Sequence, residues 1–389
     1  VHTHRSAACT IPNADIAAQN KSAERMSGIV AKRADDTIAS MQATPSSSRR
    51  QALQIWVDRV LADAGSARSD SWRALEGDAS FRRFYRLRSA DRDLIAMDAP
   101  PATENNAQFV RLANVFRDAG VHVPEVFASD LENGFILVSD LGDELYAAVY
   151  ETPQRELAIE LALDTLIDIA KVGDAGGVVP PYTTQRFRDE LGLFETWFVE
   201  GMLRHSPTEP ERRLLDSIKA RLIEAIEAQP KVCVHRDYHS RNLLWGPDHV
   251  TRVVDFQDAL HGPLLYDIAS LLRDCYVRFD EADIARWRER FRERAVRAGL
   301  PIGGDRTELW RRLDWTAVQR QMKAVGIFAR LELRDSRPSH LVDIEPVLDH
   351  LVFVCRNYAE LAPFGDWLDG TIRPRARVEL AARGVQCAQ

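Results

Sequence analysis

The chain has 389 residues, 45% hydrophobic and 28% charged, enough for two lobes or domains with their own cores and unlike a fibrous or mostly disordered composition. Lys+Arg 51 against Asp+Glu 58 give a net charge of −7, which weighs against a nucleic-acid partner, since binding a phosphate backbone needs a basic face. No apolar run reaches the ~18–20 residues of a membrane helix, and the polar N-terminus lacks the apolar core of a signal peptide. Five scattered cysteines (Cys9, Cys233, Cys275, Cys355, Cys387) without a C-x-x-C signal neither a disulfide framework nor a zinc site. The reading is a soluble protein of a reducing cytoplasm, with no membrane or nucleic-acid partner and its oligomeric state left open.

Residues 1–48 are rich in Ala, Ser, Thr and charge and show little apolar periodicity; they read as a disordered tail or an overextended start, with Met26 or Met41 the better beginning. From Ser48 onward, Leu53, Trp56, Val57, Val60 and Leu61 share a helical face that Gly65 ends, and this helix would pad the outside of the first lobe. Residues 72–87 alternate around a turn and 94–97 are apolar, which predicts three strands. The turn at 77–81 stands where a kinase phosphate-covering loop would, but with a single glycine it reads better as a plain hairpin. Candidate nucleotide contacts there are Ser80, Phe81, Arg82 and Arg83. After Pro100-Pro101 a helix presents Phe109, Leu112, Ala113 and Phe116, and two strands follow at 125–129 and 135–138. Ser139-Asp140-Leu141-Gly142 breaks the pattern and is placed as the hinge between lobes, where backbone at Ser139 and Leu141 would hydrogen-bond a nucleotide base. Beyond it helices are predicted at 157–169, 187–203, 212–228, 266–276, 282–298, 308–331 and 344–361. The fold class is therefore α+β, a protein-kinase-like two-lobed fold with a small strand-rich N-lobe (49–140) and a larger helical C-lobe (141–389).

The chemistry concentrates in residues 232–258. An apolar strand (Val232, Cys233, Val234) runs into His235-Arg236-Asp237, Asn242 follows five residues after Asp237, a spacer holds Gly246, Pro247 and Asp248, and a second apolar strand ends at Asp255-Phe256-Gln257-Asp258. H-x-D-x-x-x-x-N followed by a strand and D-x-x-D is the order a phosphoryl-transfer site needs. Asp237 would accept or orient the proton of the attacking hydroxyl, while Asn242 and Asp255 offer oxygen ligands to Mg²⁺, whose charge neutralises the phosphates of ATP. Asp258 is a candidate for a second metal contact or a place just outside it. Asp267 reads as a brace for the loop, and His235 as a stabiliser of it. One departure is found by counting: there is no lysine between Lys32 and Lys171, so the strand lysine that pairs the α/β-phosphates in kinases is missing, and Met97 or Asp98 falls in its slot. Arg82, Arg83 and Arg86 are the nearest replacements, since arginine offers fixed charge and bidentate hydrogen bonds to phosphate.

From about residue 50 to the C-terminus these motifs resemble the aminoglycoside phosphotransferase and choline-kinase branch of the protein-kinase-like fold. The metal-binding Asp255 is followed by x-x-D, not the Phe-Gly of protein kinases, and A-P-E is missing. The stretches His235–Leu243, Asp255–Ala259, Gly262-Pro263, Tyr266–Tyr276 and Gly326–Leu331 narrow the resemblance to bacterial anomeric kinases of cell-wall amino sugars. So do Gly77–Arg83, Met97–Pro101 and Asp140–Asp143. That resemblance implies a small-molecule amino-sugar acceptor: N-acetylmuramate and N-acetylglucosamine, phosphorylated at C1 in a peptidoglycan-recycling route. The sugar needs hydrogen-bonding side chains, an aromatic face and, for a lactyl carboxylate, a cation; Trp197, Arg273, Asp274 and Arg320 are the candidates. Another alcohol acceptor (aminoglycoside, choline-like, homoserine) and a non-catalytic nucleotide-binding regulator are the alternatives.

Overall fold

The five strands expected before the hinge form one antiparallel sheet. The computed structural model describes residues 45–66, 71–75, 81–89, 92–246 and 248–385; residues 1–44 of the expected 1–48 tail, Ser80 and most of the 77–81 turn lie outside them, and residues 45–48 are helical where a tail was expected. The described residues divide into two compact units, one up to residue 66 and the other from residue 71. In the first, helix α1 (Pro45–Asp63) begins three residues before Ser48; Leu53, Val57 and Leu61 are buried at four-residue spacing, and Gly65 follows at φ +71°.

In the second unit β1 (Trp72–Leu75), β2 (Arg83–Ser89), β3 (Arg92–Asp98), β4 (Val126–Asp130) and β5 (Phe135–Ser139) are ordered β1-β2-β3-β5-β4, with helix α2 (Asn106–Asp118) between β3 and β4. The register Met97↔Ile136 and Ile95↔Val138 puts the apolar residues of the central strands beside one another. Helices take over after Ser139: α3 (Tyr146–Val149), α4 (Arg155–Lys171), α5 (Thr184–Leu193) and α6 (Glu209–Glu227). Two short antiparallel ribbons interrupt them. Strand β6 (Lys231–Val234) pairs with β9 (Leu260–Pro263), and β7 (Leu243–Trp245) with β8 (Thr251–Val253). Helices α7 (Tyr266–Leu272), α8 (Glu281–Arg297), α9 (Arg306–Asp335), α10 (Ile344–Arg356), α11 (Ala362–Trp367) and α12 (Arg373–Ala382) complete the unit. Among the described residues no helix is long and apolar enough to cross a membrane.

Several boundaries differ from the periodicity for local reasons. Helix α6 starts before residue 212 because Thr208 and Glu211 form a capping box, with the Thr208 N–H donating to Glu211 at 2.7 Å, and Pro210 is tolerated in a first turn whose N–H groups lack helical partners. Helix α7 stops at Leu272, short of 276, because Asp274 turns to accept two backbone N–H groups. The stretch 187–203 is helical but widens into a π-helix at Phe194–Met202. The widening begins where α9 crosses at Gly326: a Cβ there would lie 2.5 Å from the Leu193 carbonyl carbon and 2.6 Å from the Phe194 nitrogen. Gly326 thus sets how near α9 approaches the preceding helix.

On helix propensity alone Gly326→Ala would gain about 1 kcal/mol, but the added methyl meets backbone that cannot rotate away. The expected outcome is a net loss of roughly 1–3 kcal/mol, read as a lower denaturant midpoint with unchanged m-value.

Candidate active site

Strand β6 delivers His235, Arg236 and Asp237 to the edge of a cleft, and the loop's backbone donors need partners there. Asp267, in the first turn of α7, accepts from the His235 N–H at 2.5 Å and the Arg236 N–H at 2.9 Å, so it is the brace that its sequence position suggested. His235 donates from Nε2 to the Val254 carbonyl (2.9 Å) and accepts the Asp237 N–H at Nδ1 (3.3 Å). Burial pushes its pKa down and keeps the imidazole in the neutral form these two bonds require. Asp274, expected to bind sugar, instead accepts from the Ser240 N–H (2.9 Å) and the Tyr276 N–H (2.9 Å), bracing the far end of the loop.

Arg236 and Asp255 adopt φ of 80° and 63°, a left-handed conformation that costs a non-glycine residue about 1–2 kcal/mol. The Arg236 guanidinium secures its own position: it donates to buried Glu190 (2.6 Å) and to the Asp258 carbonyl (3.3 Å), and lies 5.3 Å from the Tyr182 ring centroid. Glu190 also accepts from Tyr182 and from Gln319.

The Asp237 side chain, 34% exposed, faces two cations from α9: Lys323 Nζ at 3.5 Å and an Arg320 nitrogen at 3.8 Å. Burial alone would raise its pKa, but Lys323, Arg236 and Arg320 hold it well below the usual carboxylate range. Burial would lower the pKa of Lys323, yet Asp237 and Glu190 raise it, so both partners stay charged.

Asn242 donates to the Asp237 carbonyl (2.9 Å) and approaches Asp255 (3.4 Å), which leaves its amide oxygen available at the cleft. Asp255 accepts from the Gln257 amide at 2.6 Å. The surrounding protein pushes its pKa up to about 6; the Gln257 bond opposes this, and the carboxylates of Asp237 and Asp258 add to it. Surplus negative charge on hard oxygen donors fits a divalent cation of the Mg²⁺ type. Among the described residues no group of three or more His, Cys, Asp or Glu is arranged to hold a metal, so phosphate or water oxygens would have to complete such a shell. Asp258 is exposed at the cleft beside Asp255.

The cleft holds about 1080 Å³. Ile95, Met97, Val138 and Leu244 give it an apolar wall, and Met97 fills the slot where a strand lysine was missing. Ser139 and Leu141 both line it; the Ser139 Oγ accepts from the Glu125 N–H at 2.9 Å, which ties β5 to β4 at the hinge. Arg82 lies in the cleft, buried, paired with half-buried Glu104 at 2.9 Å, and its charge acts on Asp255. Phe81 reaches the cleft and donates its N–H to Glu104 (3.3 Å). Arg83 is exposed and does not line the cleft, while Arg86 is committed to Asp140 and Asp143, clamping β2 to the hinge.

Of the sugar candidates only Arg320 lines the cleft. Trp197 packs against the helical core, and Arg273 is buried between Glu281, Asp314 (3.2 Å) and His350 (3.0 Å). Beside Arg320 the cleft is lined by the rings of Tyr276 and Phe328, centroids 6.1 Å apart. Sequence reasoning missed these, Lys323, Glu190 and Arg330, although Lys323 stands one helical turn beyond Arg320 on α9.

The antiparallel sheet, the helical remainder and the cleft that gathers Asp237, Asn242 and Asp255 agree with a phosphotransferase of the protein-kinase-like fold. Residues 71–315 match the phosphotransferase enzyme family (APH), and the chain belongs to that family. It is 38% identical over 332 residues to the N-acetylmuramate/N-acetylglucosamine kinase of Pseudomonas aeruginosa, covering 82% of this chain and 96% of the relative. It is 37% identical over 296 residues to the protein of that name from Neisseria meningitidis, covering 74% and 86%. Among solved structures it resembles choline kinase LicA from Streptococcus pneumoniae (TM-score 0.53, 12% identity, 76% of this chain and 98% of that one). It also resembles a thermostable mutant of aminoglycoside phosphotransferase APH(4)-Ia in ternary complex with AMP-PNP and hygromycin B (0.52, 15%, 78% and 98%).

The raised pKa of Asp255 has a testable sign. Its folded value of about 6 lies above the ordinary ~3.9, so the ionised form costs stability at neutral pH, and the cost fades as pH falls through 6 toward 4. Asp255→Asn should therefore melt slightly above wild type in metal-free buffer near pH 7.5, a gain limited by screening in the cleft, with the two curves converging by about pH 4 while turnover is lost. Differential scanning calorimetry across pH checks it.

Proposed function

We propose that this enzyme transfers the γ-phosphoryl group of ATP, with Mg²⁺, to the anomeric C1 hydroxyl of N-acetylmuramate and N-acetylglucosamine, yielding the sugar 1-phosphate in peptidoglycan recycling. The observation that carries the reading is a complete Asp237, Asn242 and Asp255 set facing a basic acceptor wall of Arg241, Arg320, Lys323 and Arg330. That wall disfavours a polycationic aminoglycoside or a choline-like cation and suits a neutral or acidic sugar. The reading also agrees with the names of the curated relatives, whose length the chain spans almost entirely. It places the enzyme in the cytoplasm, where Cys233, Cys275 and Cys355 stay as free thiols, with the lobes dividing at residues 140 and 141.

The base would lie between Ile95, Met97, Val138 and Leu244 against backbone at Ser139 and Leu141. Arg82, fixed by Glu104, takes over the charge of the absent strand lysine and can meet phosphate oxygens bidentately. Mg²⁺ would be held by Asn242 and Asp255, with Asp258 alongside, and when bound would neutralise phosphate charge. Asp237 accepts a hydrogen bond from the C1 hydroxyl and takes its proton as the sugar oxygen bonds to the γ-phosphorus. The bond from that phosphorus to the bridging oxygen breaks, and ADP leaves with the electron pair. Held ionised by Lys323 and Arg320, Asp237 is a weak base. An anomeric hydroxyl is more acidic than an ordinary alcohol and asks little of it, so orientation dominates.

Asp237→Asn should lower kcat by on the order of 100-fold or more with little change in the KM for ATP, measured by coupled ADP release. The methyl glycoside of N-acetylglucosamine, blocked at C1, should release no ADP above background. Transfer to that blocked sugar would overturn the C1 assignment, and wild-type protein that binds ATP without turnover on either sugar would point to a regulator.

A further inference from the structure

We propose that Arg330 binds a carboxylate on the acceptor and so sets this site's preference for N-acetylmuramate over N-acetylglucosamine; the inference rests on the sugar reading above. The other cations of the acceptor wall already have partners. Lys323 stands between Asp237 (3.5 Å) and Glu190 (3.8 Å). Arg320 faces Asp237 and donates to the Arg236 carbonyl at 3.3 Å. Arg241 lies 3.7 Å from the Tyr276 ring centroid, with Asp343 at 3.8 Å. Arg330 differs. It is half-buried at the cleft, its Nε is sealed from solvent without a hydrogen-bond partner, and among the described residues no carboxylate or carbonyl bonds its guanidinium. Of the two carboxylates that follow on the same helix, Glu332 is bonded by Arg383 at 2.8 Å and Asp335 by Arg334 at 2.8 Å. Burial, with the Arg334 charge beside it, pushes the Arg330 pKa down, and the Asp335 charge offsets this only in part. A half-buried cation with no directly bonded anion is a costly arrangement that a ligand carboxylate relieves.

Position along α9 supplies the geometry. Lys323, Ile327 and Arg330 follow at four- and three-residue spacing on the cleft face, so Lys323 and Arg330 are two turns, roughly 10 Å, apart. The reacting hydroxyl belongs at Asp237, beside Lys323. An acceptor anchored there extends its far side toward Arg330, its ring against Tyr276 and Phe328. N-acetylmuramate carries an ether-linked propionate on O3, two ring carbons from the reacting C1, and N-acetylglucosamine has a plain hydroxyl in its place. Arginine meets a carboxylate through two parallel N–H bonds, which makes Arg330 selective for the acid.

The test is steady-state kinetics of wild type, Arg330→Gln and Arg330→Lys with both sugars under identical conditions. The readout is the ratio of kcat/KM for N-acetylmuramate to kcat/KM for N-acetylglucosamine, which does not depend on the fraction of enzyme that is correctly folded. Loss of a charge-assisted contact should lower this ratio by roughly 10-fold or more in Arg330→Gln, chiefly through the KM for N-acetylmuramate, and Arg330→Lys should recover part of it. An unchanged ratio in Arg330→Gln, whether both activities fall together or neither falls, overturns the proposal alone. A wild-type enzyme that phosphorylates neither sugar overturns the sugar reading and this proposal with it.

Discussion

The constraint on which the site depends is an ionised carboxylate, Asp237, held in the cleft by cations that do not belong to its own loop alone. Its loop fixes the backbone through Asp267 and His235, but Lys323 and Arg320, which hold the charge, come from α9. Long C-terminal helices in such a fold are more than padding. The approach of α9 to the Leu193–Phe194 backbone, permitted by the missing side chain at Gly326, sets where Lys323 stands relative to Asp237. Glu190, on the helix α9 crosses, completes the balance by facing both Arg236 and Lys323.

Two carboxylates of one cleft are driven in opposite directions by their neighbours. Asp237 is surrounded by Lys323, Arg236 and Arg320 and stays ionised; Asp255 is pushed up to about 6, chiefly by desolvation and further by the carboxylates of Asp237 and Asp258, against the Gln257 bond. Environments that separate like groups in this way divide their roles. In the proposed reaction the first would receive a hydrogen bond from the acceptor at any working pH, and the second would gain from a divalent cation. Arg82 joins the two ends of the cleft, since it is anchored on Glu104 while its charge is felt at Asp255.

What the sequence made legible was local chemistry. H-x-D-x-x-x-x-N and D-x-x-D lie within 24 residues, strands and turns between them are short, and the structure brings Asp237, Asn242 and Asp255 together. The missing strand lysine could be found by counting, because absence needs no tertiary contact. The sheet was readable for the same reason, its apolar runs being separated by clear turns. The residues of the cleft wall on α9 were not, because helical periodicity says which residues share a face but not what that face meets. Arg273 and Asp274 look alike as polar residues after an apolar helix, yet one is consumed by Asp314 and Glu281 and the other by loop amides. Trp197 lies on a stretch whose π-helical turn shifts the helical phase, and its ring joins the core. Lys323 gained meaning only once α9 was placed beside the catalytic loop.

Phosphorus NMR of the purified protein with ATP, Mg²⁺ and N-acetylmuramate, run in parallel with N-acetylglucosamine, addresses the chemistry at the reacting atom. The expected result is a new phosphate resonance coupled to the anomeric proton of the sugar. A sugar phosphate lacking that coupling, or no sugar phosphate with either acceptor, would contradict transfer to the C1 hydroxyl.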